Sequence, residues 1–257
     1  MSRFSTVFIV TSLFSVFCAD SSNAKIYQQD SMFWLIGVLR KESNYQDLDE
    51  SVLAGLQSYL HPLHLQEVCN WCDVECHANG DVISINWDYL SQNVNNISGK
   101  MSYLFVKWIP PTVWQCRIKN KLAAKSSDGR KDLFTTRWVP RDAVYYKIES
   151  CAIRGEIDLQ SLPHTDIEGF LMPSNSLTGT VLLHDLPPYL RMINLKDNSF
   201  SLVVVDNTSL PDPLQAFEAS FRSRAIIRSK ELHGKSIDKR VTIEHQKKCQ
   251  KLLLQEI

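Results

Sequence analysis

The chain has 257 residues, 44% of them apolar and 22% charged, which is ordinary globular composition with enough apolar material for one sizeable core. Its 28 basic and 28 acidic side chains cancel, so bulk charge directs it neither to nucleic acid nor to a membrane surface. The balance hides a split: residues 222–257 carry ten Lys/Arg against four Asp/Glu, while residues 25–221 carry 17 against 23.

The first segment reads as a secretory signal peptide over residues 1–24. Arg3 supplies the positive start, Phe4–Phe17 is apolar around Val7–Val10, and Ser22, Asn23 and Ala24 are small residues before a cut. The apolar run is shorter than the roughly 20 residues that span a bilayer, so cleavage is favoured over anchoring. No other long apolar run exists, and Lys247–Ile257 is too charged for a lipid-anchor signal or a span. The expectation is a secreted or extracellular protein with no transmembrane span after signal removal. Two sequons, at Asn96 and Asn207, are compatible with glycosylation in that compartment.

Residues 25–81 come next. Met32, Leu35, Ile36 and Leu39 share a helical face, which predicts a helix within Lys25–Lys41. Val52, Leu53, Leu56 and Leu60 predict a second helix over Asp47–Leu60, ended by Pro62. Cys69, Trp71, Val74 and Cys76 then form C-x-W-x-x-V-x-C, with Cys72 as an extra cysteine, and the first strand begins at Val82.

Residues 82–221 repeat. Prolines at 110, 140, 163, 187 and 211 are spaced by 30, 23, 24 and 24, each following Ile, Val or Leu. Behind them lie Val113/Cys116/Ile118, Ala143/Tyr146/Ile148, Ile167/Phe170/Met172, Leu190/Ile193/Leu195 and, more weakly, Leu214/Phe217/Ala219. Val82/Ile85/Trp87 fits the same frame ahead of the first proline. A second apolar run follows several copies, as in Gly155–Leu159, Gly179–Leu183 and Leu202–Val205. The clearest copy, Leu190-x-x-Ile193-x-Leu195-x-x-Asn198, has the L-x-x-L-x-L-x-x-N form of a leucine-rich repeat, and a period near 24 falls in that range. The longer intervals, 90–99 and 122–138, read as polar loops.

Taken with the cysteine motif, the chain resembles secreted leucine-rich repeat proteins with a plant-type N-terminal cap, from about Asp47 to Phe217. Asp73 stands where that family has Gly. The resemblance implies an α/β repeat fold: a horseshoe-shaped solenoid of five or six repeats, a parallel β-sheet on the concave face, and a helical N-terminal cap over the exposed end of the core. It implies a disulfide between Cys69 and Cys76. The rival is zinc, because Cys69, Cys72, Cys76 and His77 cluster. It also implies an asparagine ladder, in which Asn175 and Asn198 bond backbone groups of adjacent turns. Leu90, Lys121, Cys151 and Arg222 occupy that slot elsewhere, so the ladder is incomplete. Cys116 and Cys151 sit five positions apart along the strand direction, about 15 Å, and are expected as buried thiols. Residues 222–257 lose the repeat and are expected to be a basic tail, helical or disordered.

No nucleophile elbow, phosphate loop, zinc-protease helix or dinucleotide fingerprint is present, so the chain is read as a non-enzyme with no cofactor, no catalytic residue and no metal. What remains is a surface. Residues between the inward ones face outward on the strands. The central column is Asn86, Arg117, Lys147, Leu171, Asn194 and Glu218, with Lys119, Glu149, Pro173 and Lys196 on one side. Gln115, Tyr145, Gly169 and Met192 lie on the other, and Trp114 and Arg191 stand at strand starts. Trp, Tyr, Arg and Met are enriched where proteins bind each other. Arg117, Lys119, Lys147 and Arg191 are expected to form a basic patch. The expected partner is a protein or peptide, or a glycan, of unknown identity and not nucleic acid. The alternative is a structural cell-surface or matrix protein associating through its tail or solenoid edges.

Overall fold

A computed structural model describes residues 21–35, 67–71, 73–88, 106–119, 133–164, 166–221 and 228–244. The strands are β1 (Val74–Cys76), β2 (Val82–Trp87), β3 (Gln115–Lys119), β4 (Tyr145–Glu149), β5 (Arg154–Glu156), β6 (Gly169–Leu171), β7 (Ser176–Leu183), β8 (Met192–Val205), β9 (Ala216–Phe221), β10 (Arg228–Glu231) and β11 (Val241–Glu244). A long parallel sheet runs β2-β3-β4-β6-β8-β9-β11, and β1 closes its first edge antiparallel to β2. A shorter parallel sheet is made by β5, β7, the second half of β8, and β10. The chain winds from one sheet to the other and back, giving a parallel β-solenoid of about four complete turns.

The inward frame of the sequence is the core of this winding. All eighteen residues of the six expected inward sets, from Val82/Ile85/Trp87 to Leu214/Phe217/Ala219, are at most 6% exposed. They also stack in register: Ile85 opposite Cys116, Cys116 opposite Tyr146, Tyr146 opposite Phe170, Phe170 opposite Ile193, and Ile193 opposite Phe217. A one-residue slip would turn each set to solvent, so burial itself enforces the register. The repeated proline sets the entry to the strand. The carbonyls of Pro110, Pro140, Pro187 and Pro211 accept the N–H of Val113, Ala143, Leu190 and Leu214 at 3.1–3.2 Å. Proline's fixed φ shapes such a turn, and its missing N–H is not called on there.

The corner from the long sheet to the short one has its own device. Ser150, Ser174 and Asp197 have φ of 56°, 57° and 56°, left-handed values that cost a side-chain-bearing residue about 1–2 kcal/mol. The next residue in each case, Cys151, Asn175 or Asn198, is thereby aimed into the core. Asn175 Oδ1 accepts the N–H of Cys151 and Ile153, both at 3.1 Å, and Asn175 Nδ2 donates to Ile148 O at 2.8 Å in the preceding turn. Asn198 repeats the pattern, accepting from Leu177 N–H at 3.0 Å and donating to Met172 O at 2.8 Å. Cys151 makes a weaker version: its thiol donates to Glu149 O at 3.2 Å. Further on, Gly155 (φ 135°) passes so close to Phe134 that an added Cβ would lie 2.3 Å from the Phe134 carbonyl oxygen.

Several expectations change. Among the described residues the only α-helix is α1 (Ser21–Leu35), and the return segments are short strands or single 3-10 turns such as Val106–Trp108, Thr136–Trp138 and Leu159–Ser161. The fold is therefore mostly strand rather than α/β. In the described returns the second apolar run is taken up by strand, as β5, β7 and the second half of β8. The second expected helix, Cys72 and Asn96 lie outside the described residues, as do residues 1–20. Helix α1 buries Met32, Phe33 and Leu35, and its described span includes Ala24, the site of the expected cut. It is held to the first turns by Phe33 against Trp71, Trp34 against Trp108, and a 2.9 Å hydrogen bond from Gln28 to Thr112. No helix among the described residues is long and apolar enough to cross a membrane.

Cys69 and Cys76 are joined as a disulfide, which removes both from the zinc alternative. Cys116 and Cys151 are buried thiols, and burial pushes the Cys116 pKa far above the usual thiol range. The tail differs most. Where a helix or disorder is expected, β10 pairs with β8 and β11 with β9, so residues 228–244 add a further winding. This winding docks by apolar and polar contacts: Val241 is buried, and Ile237 and Ile243 pack against the core. Asn207 Nδ2 donates to Ser236 O at 2.8 Å and its Oδ1 accepts Asp238 N–H at 3.0 Å. Both ends of the expected glycosylation-site amide are thus engaged in packing.

Candidate binding face

The outward residues of the long sheet fall into columns because one carbonyl registers each strand start. Trp114 O accepts both Val144 N–H and Tyr145 N–H, at 2.8 and 3.0 Å. Val144 O, Glu168 O and Arg191 O do the same for the strands that follow. The result is the expected central column in register: Asn86, Arg117, Lys147, Leu171, Asn194, Glu218. Lys119 stands opposite Glu149, and Tyr145 lies between Gln115 and Gly169, with Met192 beyond.

Charges on this face are compensated to an extent that composition does not reveal. Lys119 meets Glu149 at 2.9 Å, and Lys147 meets both Asp88 and Glu149 at 3.1 Å. Arg191 meets Glu168 at 3.4 Å, and Lys196 meets Glu218 and Glu244 at 3.3 Å. Burial works against the Lys147 charge, but its hydrogen bonds to Asp88 and Glu149 outweigh burial and raise its pKa. Burial likewise works against Glu149, and hydrogen bonds from Lys119 and Lys147 win, holding its pKa low. Burial works against the Lys196 charge as well, and its hydrogen bonds to Glu218 and Glu244 together outweigh burial and raise its pKa. Three of the four cations expected to form a basic patch are therefore already paired.

Arg117 is different. Among the described residues it has no carboxylate partner, and its guanidinium lies 4.8 Å from the centre of the Tyr145 ring. Its Nε–H is shielded from solvent and lacks an acceptor. Tyr145 in turn is seated on Gly169: a Cβ there would lie 2.7 Å from Tyr145 Cδ2 and 3.2 Å from Leu171 Cδ1. The glycine thus leaves the space that the ring and Leu171 fill, and Leu171 is buried rather than presented. Trp114 and Met192, each 40% exposed, flank this seat. The face is consequently divided: aromatic and apolar groups gather toward the strand starts, where the Arg191–Glu168 pair also lies, and the rest of the compensated charge network occupies the strand ends. Asn194 belongs to the network, donating to Glu218 at 3.3 Å and accepting the Lys196 N–H at 3.0 Å.

Sequence reasoning named these positions but missed Asp88, Glu168 and Glu244 as partners. Alternation could have flagged Asp88, two residues after Asn86 and just past the end of β2. No protein-family model, curated protein or solved structure matches the chain.

Proposed function

We propose that the chain is an exported leucine-rich-repeat-type recognition protein that binds a protein or peptide on the outward face of the long sheet, the concave face in such folds. The observation that carries this is the Arg117–Tyr145–Gly169 seat with Trp114 and Met192 exposed beside it. Two large exposed apolar groups beside a cation with no carboxylate partner among the described residues make the kind of surface at which proteins bind each other. The leucine-rich-repeat reading is supported by the L-x-x-L-x-L frame, the two ladder asparagines and the disulfide within C-x-W-x-x-V-x-C. Helix α1 and the Cys69–Cys76 bridge suit a cap over the first winding, and the disulfide suits an oxidising compartment.

The test is affinity capture from a secreted protein fraction by parent protein and two variants. Trp114→Ala with Tyr145→Ala and Met192→Ala should lose the captured partner. Leu182→Ala, on the short sheet, should keep it. Equal capture by all three, with folding verified by circular dichroism, would place the interaction elsewhere, as the structural-protein alternative requires.

A further inference from the structure

We infer that the partner of this face is an acidic peptide segment whose Asp or Glu carboxylate docks on Arg117, with apolar side chains beside it. The inference rests on the binding-face reading above. Its starting point is an imbalance. Lys119, Lys147, Arg191 and Lys196 each have a carboxylate within 3.4 Å, whereas Arg117 has none among the described residues. Arginine is the side chain best suited to grip a carboxylate through two parallel N–H bonds. Its fork is held against Tyr145 and has an Nε–H with no acceptor, so the cation is oriented before any ligand arrives.

The same imbalance decides the class of ligand. A polyanion such as nucleic acid or a sulfated glycan needs several free cations in a row. Here the neighbouring cations are already neutralised, and capturing them would require breaking their pairs. One carboxylate satisfies one guanidinium. The groups around it, Trp114 and Met192, are apolar and exposed, so the rest of the ligand must cover apolar surface. In an extended peptide, residues i and i+2 point the same way and lie about 6.6 Å apart. An acid with aromatic or aliphatic residues two positions away meets both requirements.

The probe is a displayed library of short random linear peptides, selected in parallel on the parent protein and on Arg117→Gln, Arg117→Lys and, exposed on the short sheet away from the face, Lys230→Gln. The parent and Lys230→Gln should enrich peptides with Asp or Glu at one fixed position and apolar residues around it. Arg117→Gln should lose that acid preference, and Arg117→Lys, which keeps the charge but not the fork, should retain it weakly. An enriched peptide resynthesised with its acid changed to the amide should bind the parent about tenfold or more weakly, and Arg117→Gln no differently. Thermal unfolding checks that each variant is folded. Enrichment of peptides with no fixed acid, or an acid preference that survives in Arg117→Gln, overturns the inference while leaving peptide binding intact. If the parent enriches no peptide that Tyr145→Ala abolishes, or if neutral oligosaccharides bind the seat instead, the reading of the face as a peptide site falls with it.

Discussion

Asn175→Ala tests the device that holds successive windings together. Asn175 is 1% exposed, and its amide serves two N–H donors and, through Nδ2, the carbonyls of Ile148, Met172 and Pro173. Alanine leaves the Cys151 and Ile153 N–H groups buried with no acceptor. Each such orphan costs about 1–3 kcal/mol, so the pair amounts to roughly 2–6 kcal/mol. The carbonyls add less, because under-satisfied C=O groups are better tolerated. Against a typical domain stability of about 5–15 kcal/mol this is a large fraction. Asn175→Asp distinguishes hydrogen bonding from shape: it keeps the acceptor oxygen for both N–H groups but turns a negative oxygen toward three carbonyls, so it too should destabilise. Urea unfolding followed by both circular dichroism and tryptophan fluorescence is the assay, because a solenoid can unfold in parts and the two probes reveal it. A loss below about 1 kcal/mol for Asn175→Ala, with coincident transitions and unchanged slope, would refute the ladder as a stabilising element.

Leu195→Ala, in a fully buried position, should cost about 2–5 kcal/mol, whereas Lys196→Ala, an outward residue in partly exposed ion pairs, should cost under about 1 kcal/mol; equal losses would break the register argument. The Tyr146 hydroxyl is fully buried and has no hydrogen-bond partner among the described residues, so Tyr146→Phe should be neutral or stabilise by about 1 kcal/mol, and a clear loss in denaturation would show that the hydroxyl is satisfied in solution. Glu149 has a depressed pKa, so its contribution is complete above about pH 4.3, the ordinary glutamate value, and is lost as pH falls through the lower folded value. Melting temperatures between about pH 6 and 3 should fall less steeply for Glu149→Gln than for the parent, and parallel profiles would exclude that contribution.

The long sheet was legible because its signal is local and repeated. A proline turn and three inward residues per winding specify both strand and register, and Asn175 and Asn198 announce the corner. The last winding was not legible, because its few apolar residues lie among charges with no repeat frame to mark them: in β10, Arg228, Ser229 and Lys230 are exposed and Glu231 is buried, while Ile237, Val241 and Ile243 reach the core. A run of charges there reads as a solvated tail, and edge strands carry charge for that very reason. The helical returns were expected by resemblance rather than from periodicity, and strands took their place. At the binding face the positions were readable and their electrostatics were not. Lys147 finds Asp88 from 59 residues away, and no short-range pattern encodes such a pair. Gly169 reads as an outward gap until the Tyr145 ring is placed on it.

The charge network has a kinetic consequence. Five cations and five carboxylates on one face leave almost no field beyond a Debye length, about 8 Å at physiological salt. Encounter with a partner would then proceed without long-range steering, at the roughly 10⁵–10⁶ M⁻¹s⁻¹ of an unassisted collision, and would respond little to ionic strength. If the face binds as proposed, tight binding there comes from how long the complex lasts once the apolar seat is covered and Arg117, with no carboxylate partner among the described residues, is met.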